Sequence, residues 1–582
     1  MKKKLGLLII STVAVLSLTA CEGIHDIFNN FPFGQPEDEY SYTEINDSTS
    51  SSGDDSIYIS PSEDFSSSVD TSSDSESSSS SQDEEPLPEP SEITPQKASC
   101  TYEDYVKNNV YSVSSTPSVG EAHILVIPVW FSDSNNYISS SKKENVRQDI
   151  EKAYFGKNTD TGWRSVKTYY EEESHGVLTL TGKVTDWYTD SRSYTSYGPE
   201  NSGMSLTQNL VKTATKWYFD NNPSDSRRNY DKDGDGYLDG VMLIYGAPDY
   251  SVLKNERYGN LWAYCYWLQE PSSQNVTSPG ANAYFWASFD FMYGREVYAS
   301  RTGVSSKQYP SGDTAHVTID THTYIHEMGH MFHLEDYYDY STYGYSPAGG
   351  FSMQDNNVGG HDPFSIFALG WGKAYIPTES VTINLKPLTT SGEMIILTPS
   401  WNEYNSPFDE YLIVEYFTPD GVNYLDTKYS YASSSGKQYP TGSQVSGVRV
   451  WHVDARLLYT KTGDFKASNW TTNPNISNQT VSLMMSNTYD DGKNEYITPL
   501  GSSYANYNLL QMIRNNKTVT HKNKNHMDAN SLFRAKDTFS MSDFSRQFVN
   551  SGRLNNGSKN LGFSFKVNGL TDDYASITIT KL

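Results

Sequence analysis

Cysteine is nearly absent from this chain: 582 residues contain three, at positions 21, 100 and 265. So few exclude a disulfide-stapled scaffold and any metal centre built on four thiolates. There is no apolar run of the ~20 residues that a membrane-spanning helix needs, since the run from Leu5 to Leu18 is too short. Lysine and arginine are missing altogether between residues 22 and 96, where nineteen Asp and Glu alternate with serine runs such as 66–68 and 77–81. Over the whole chain 44 basic residues face 70 acidic ones, for a net charge of −26, which argues against a nucleic-acid partner. No internal repeat is present, so a solenoid or propeller is not expected.

What is there falls into four stretches. Lys2, Lys3 and Lys4 precede the apolar run, and Leu18-Thr19-Ala20-Cys21 closes it. This is the pattern of a secretory signal, and the cysteine after Leu-Thr-Ala resembles a bacterial lipobox. Residues 1–21 are therefore expected to be a lipoprotein signal, with Cys21 lipidated and the protein anchored at the bacterial cell surface. Residues 22–96 cannot bury enough apolar surface to fold. They read as a disordered acidic, Ser-rich linker, a stalk spanning roughly 45–50 Å as a flexible coil. Beyond it, 45 tyrosines and 11 tryptophans in the full sequence argue for substantial cores. Residues 97–380 mix helical and strand patterns without a strict βαβ rhythm, which reads as α+β. Residues 381–582 change to short strands with turn signals, as in 381–385, 410–416, 447–453 and 575–580, and read as a β-rich, sandwich-like part. Cys100 and Cys265 can pair or remain two buried thiols.

The stretch from Thr321 to Asp336 carries the chemistry. His326-Glu327-Met328-Gly329-His330 is an H-E-x-x-H sequence. A spacing of four puts His326 and His330 on one helix face, with Asp320 or Thr321 as the helix cap. Neutral imidazoles bind zinc without cancelling its charge, and Glu327 beside the ion can take a proton from zinc-bound water. In the metzincin class of zinc peptidases the motif extends to a glycine three residues on and a third ligand three further. Here the third-ligand position is Asp336, but the glycine position is His333. A non-glycine residue at positive φ is costly, although histidine is among the better-tolerated ones. Asp336 ranks first as third ligand; His333, Glu335, Asp339 and, more remotely, His361 remain alternatives. Residues 349–353 (GGFSM) resemble the methionine turn beneath such a zinc, with Asp355 where a tyrosine often follows.

Upstream, Asp231, Asp233, Asp235 and Asp239 offer alternating carboxylates around a Gly236 turn, as hard Ca²⁺ demands. Met242 stands where an EF-hand would need its twelfth-position Glu, so the reading is a short structural calcium loop rather than an EF-hand.

The strand ending Phe131-Ser132-Asp133, the Tyr169-Tyr170 and Ser174-x-Gly176 segment, the 231–239 loop, the 326–336 motif, Met353 and the Pro363 to Trp371 stretch follow in order. Together they resemble the immune inhibitor A family of secreted bacterial zinc metallopeptidases, over most of residues 97–460. The resemblance implies a metzincin-like domain, a mixed sheet plus active-site helix, with zinc on His326, His330 and Asp336. It further implies Glu327 as catalytic base, calcium on Asp231, Asp233, Asp235 and Asp239, and endoproteolysis of extracellular proteins. The expectation is thus a surface-anchored, monomeric zinc endopeptidase acting on protein or glycoprotein substrates. The rival from another class is an aromatic-rich adhesin, binding glycan or protein through surface tyrosines and tryptophans, with a vestigial site.

Overall fold

The computed structural model describes residues 86–109, 114–253, 256–305, 316–339, 346–399, 401, 404–430, 439–460, 469–474, 476, 480–483, 485–487, 506–556 and 560–582. Cys21 and nearly all of the expected stalk lie outside the described residues. Most of the apolar run 122–131 lies in β1, Gly120–Trp130, which is buried without interruption from its fifth residue, Ile124, onward. Such a run carries apolar side chains on both faces. Ile124 and Val126 enter one core, Leu125, Ile127 and Val129 another. A strand covered on both sides suits a parallel sheet with helices above and below.

Those helices are α1, Lys143–Phe155, and α2, Val166–Glu173, on one face, and α3, Glu200–Asn221, on the other. In α1 the buried Val146, Ile150, Ala153 and Tyr154 recur every three or four residues, the helical period. Strands β2, Leu178–Val184, β3, Val241–Tyr245, β4, Tyr264–Trp267, and β5, Ala283–Ser288, complete the sheet in the order β2-β1-β3-β5-β4. The short strand Tyr188–Thr189 pairs with the end of β1. All these pairings are parallel except that of edge strand β4 with β5. The mixed α and β content agrees with the sequence reading, while the parallel pairing is more regular than the uneven connections suggested. Helix α4, His322–Met331, packs against β4 and β5.

The C-terminal strands form two stacked sheets and a small third one. One sheet runs β11-β10-β9-β8-β6, from β6, Lys373–Tyr375, β8, Glu393–Leu397, β9, Glu410–Phe417, β10, Gly447–Asp454, and β11, Leu510–Ile513. The other runs β12-β13-β14-β7, from β7, Val381–Leu385, β12, Thr538–Ser540, β13, Phe563–Leu570, and β14, Ala575–Lys581. Leu412, Val414 and Tyr416 of β9 face this second sheet, among Phe539, Phe565 and Ile577. The alternate residues Tyr411, Ile413 and Phe417 join the same core as α1, α2 and α4. The first sheet is therefore buried on both faces, one of them against the helices around α4.

Residues 87–582 cluster as one contact unit. The described residues before 97 make contacts with the rest of the chain: Ser91 N–H donates to Thr382 O at 2.8 Å, and Gln96 and Ala374 exchange main-chain bonds of 2.8 and 2.7 Å. Ile93 packs on the sandwich core, which is why this end of the acidic stretch is held. Cys100 and Cys265 are not joined in a disulfide. Among the described residues no helix is long and apolar enough to cross a membrane.

Trp451 ties the two halves together, since it is fully buried in the shared core and its Nε1–H donates to Glu415 Oε2 at 2.7 Å. Trp451→Ala is expected to cost about 3–5 kcal/mol, read as a lower urea midpoint of the metal-free protein.

Candidate metal centre

Helix α4 begins where Asp320 Oδ1 accepts the His322 N–H at 3.0 Å. It ends in a Schellman turn: His333 N–H donates to His330 O at 2.9 Å and Leu334 N–H to Gly329 O at 3.2 Å. The residue in the left-handed position is His333, with φ 67°, where glycine is usual. The chain thus reverses as it would with glycine there and returns Asp336 to the helix face.

Three atoms then converge. His326 Nε2 lies 3.2 Å from His330 Nε2 and 2.9 Å from Asp336 Oδ1, and His330 Nε2 lies 3.4 Å from the same oxygen. Ligands at ~2.0–2.1 Å from a tetrahedral zinc stand roughly 3.3 Å apart, so the spacing fits. The tautomers fit as well. His326 Nδ1 is 2.7 Å from Met353 O and His330 Nδ1 2.8 Å from Leu334 O. A carbonyl only accepts, so both Nδ1 atoms carry hydrogen and both neutral rings aim a lone pair inward. Two lone pairs and a carboxylate at such distances demand a cation. In the metal-free chain a proton serves: burial opposes charge on His330, but Asp336 outweighs it and lifts the imidazole to about 10. Burial likewise works against the Asp336 carboxylate, yet His330 and His326 hold it well below the usual range.

The other third-ligand alternatives point elsewhere. His333 stacks on Trp267, ring centroids 4.9 Å apart, and burial lowers its imidazole to about 4. Burial pushes Glu335 up to about 7. His361 faces Tyr169 Oη at 3.2 Å and Glu173 Oε2 at 3.4 Å. Among the described residues neither Glu335 nor Asp339 belongs to a group able to hold a metal.

The turn at 349–353 lies under the centre through its backbone. At Gly329 the helix packs closely on the same segment: a Cβ there would meet the amide end of the Gln354 side chain. The short helix Met353–Asn356 lies close enough for Met353 O to reach His326. Asp355 accepts the Gly350 N–H at 2.7 Å and so holds the turn. Glu327 is buried, which raises its carboxyl above the ordinary range; His330 and His326 pull it down, as does a main-chain hydrogen bond from Cys265 on β4.

In the upstream loop three of the four predicted carboxylates come together: Asp231, Asp233 and Asp239 offer oxygens within 4.8 Å of one another. Asp235 is outside that group, and its Oδ1 accepts the Tyr237 N–H at 2.7 Å. Lys107 Nζ sits 3.1 Å from Asp233 Oδ2. Burial and neighbouring carboxylates push Asp235 up to about 7, and burial pushes Asp239 up to about 8.

Residues 112–249 match the family model of the immune inhibitor A peptidase M6 catalytic domain. The match takes in β1 to β3, the three flanking helices and the aspartate loop, and it ends before α4. It supports an immune inhibitor A-like metallopeptidase. No curated protein matches the chain.

One buried network escaped the sequence reading. His322, one turn before His326, places Nδ1 2.7 Å from Asp320 and Nε2 3.2 Å from Asp426, and stacks on Trp163 at 4.2 Å. Asp426 also accepts the Gly359 N–H at 2.7 Å, so the ion pair fastens α4 to the loop after Met353. Asp426 lies in α5, Tyr424–Lys428, and no local pattern announces a partner a hundred residues away. Burial opposes the His322 charge, but Asp426 and Asp320 raise the imidazole to about 10. A folded pKa above the unfolded value near 6.5 means stability that is complete below pH ~6.5 and lost as pH rises towards 10. His322→Gln is expected to lose roughly 3–5 kcal/mol at pH 6. The gap to the parent should narrow by pH 10, as read from urea unfolding at both pH values.

Proposed function

From the kinship of residues 112–249 to immune inhibitor A-like peptidases, we propose that this chain is a zinc-dependent endopeptidase of extracellular proteins, metzincin-like in its site. The carrying observation is the inward convergence of His326, His330 and Asp336, with both Nδ1 atoms committed to carbonyls. These three residues would hold the metal. When bound, it supplies a Lewis acid that polarises the scissile carbonyl and lowers the pKa of water to roughly 7.

The chain's own groups do the rest. Glu327 accepts the proton of the attacking water and passes it to the leaving amine. Its burial raises its basicity, while a main-chain hydrogen bond from Cys265 favours its ionised form. Strand β4 stands at the edge of the sheet, so an extended peptide can add there as a further strand and run past Glu327. That geometry suits cleavage within a chain rather than at its end. The abundant aromatics that favoured an adhesin are mostly interior: among the described residues the exposed large aromatics are Tyr404, Tyr424 and Tyr429.

Surface anchoring through a lipidated Cys21 and an acidic stalk, with the peptidase acting as a monomer on protein or glycoprotein substrates, completes the proposal and is supported by sequence alone. A structural calcium is proposed for the aspartate loop on Asp231, Asp233 and Asp239, without Asp235. No calcium uptake by the zinc-loaded protein in calorimetry would contradict it.

Glu327→Ala should keep one zinc per chain and cut casein about 10²–10⁴-fold more slowly, measured by metal analysis and a fluorescent casein assay. A variant that still cleaves at the parental rate sinks the mechanism. Asp336→Ala should instead lose the zinc.

A further inference from the structure

His333 occupies a position where the backbone asks for glycine, since the left-handed conformation costs an ordinary residue about 1–2 kcal/mol. What the side chain does offsets that cost. Its ring stacks on Trp267 of edge strand β4, centroids 4.9 Å apart and planes 18° from parallel. Its Nε2–H donates to Ser114 O at 3.2 Å, and Trp267 Nε1–H donates to the same carbonyl at 2.8 Å. Two residues on, Thr116 N–H caps the end of α4 by donating to Met331 O at 3.0 Å. One carbonyl therefore gathers the edge strand and the reversing turn, while its own segment holds the helix end.

The residues on either side of this tie belong to the metal centre. His330 N–δ1H bonds to Leu334 O at 2.8 Å, and Asp336 follows three residues after His333. We propose that His333 is a positioning residue: a strut between β4 and the turn, fixing the second and third metal ligands relative to the peptide-binding edge. Glycine would make the same turn without tying it to anything. Burial keeps the ring neutral, lowering its imidazole to about 4, so the Nε2–H donor persists across the working pH range. The inference rests on the ligand reading of His326, His330 and Asp336.

The test is a double-mutant cycle on the full chain: parent, His333→Gly, Trp267→Ala and the pair. The readouts are zinc affinity by chelator competition and thermal unfolding of the metal-free protein. His333→Gly relieves the backbone while removing the strut, so its metal-free melting temperature should stay near the parent's. Its zinc affinity should fall roughly 10–100-fold, as for other residues that orient ligands. Trp267→Ala should weaken zinc similarly, and the double variant no further than the weaker single one. His333→Asn, which tolerates positive φ but cannot stack, should also weaken zinc. Parental zinc affinity in His333→Gly, or losses that multiply in the double variant, would overturn the strut. A parent that takes up no zinc would overturn the ligand reading beneath it, which the stoichiometry distinguishes at once.

Discussion

Two imidazole lone pairs and one carboxylate oxygen meet within 3.4 Å, and the surrounding structure is arranged to keep them there. Left to themselves these atoms repel, so their approach has to be enforced by packing and by hydrogen bonds that leave the rings no other tautomer. Met353 O and Leu334 O supply those bonds. The Schellman turn returns Asp336 to the helix face. The repulsion among these atoms is also the source of their affinity for a cation, because positive charge placed between them cancels it.

The floor is held from far along the chain. Residues 346–350 receive main-chain bonds from Met512 to Pro347 at 2.9 Å and from Met527 to Gly349 at 2.6 Å. Arg514, buried and with its guanidinium lowered to about 10 by desolvation, reaches Ser346 O at 3.4 Å. The β-rich part is thus a clamp on the turn beneath His326, and its first sheet closes the same core that α4 packs into. Burial on both faces explains why 410–417 reads as an almost continuous apolar strand: neither side meets water. It carries two buried acids: Glu415 is answered by Arg449 Nε at 2.7 Å and by Trp451, and Glu410 by His452 Nε2 at 2.8 Å.

Much of the site was legible because it is local. Four-residue spacing on one helix predicts the shared face of His326 and His330, and the spacing to Asp336 predicts the return. His333 kept the third ligand open, because its stack on Trp267 depends on a strand sixty-odd residues away. Alternating carboxylates read alike in a sequence, whereas in the structure Asp231, Asp233 and Asp239 group together and Asp235 accepts the Tyr237 N–H. Four strands of the C-terminal part, at 381–385, 410–416, 447–453 and 575–580, were legible from their composition and flanking turn signals, and the others were not. The parallel order of the main sheet was not legible either, since its crossovers differ in length and β4 reverses direction. Long-range pairs such as His322 with Asp426 have no signature in either period.

The central claim is that His326, His330 and Asp336 surround one metal ion. Zinc K-edge X-ray absorption on the zinc-loaded chain tests it most directly. The predicted first shell contains two imidazole nitrogens and carboxylate or water oxygen at ~2.0–2.1 Å, with no sulfur, and Asp336→Ala, which loses the ion, gives no such spectrum. A sulfur shell at ~2.3 Å, or a spectrum without two imidazoles, would contradict it.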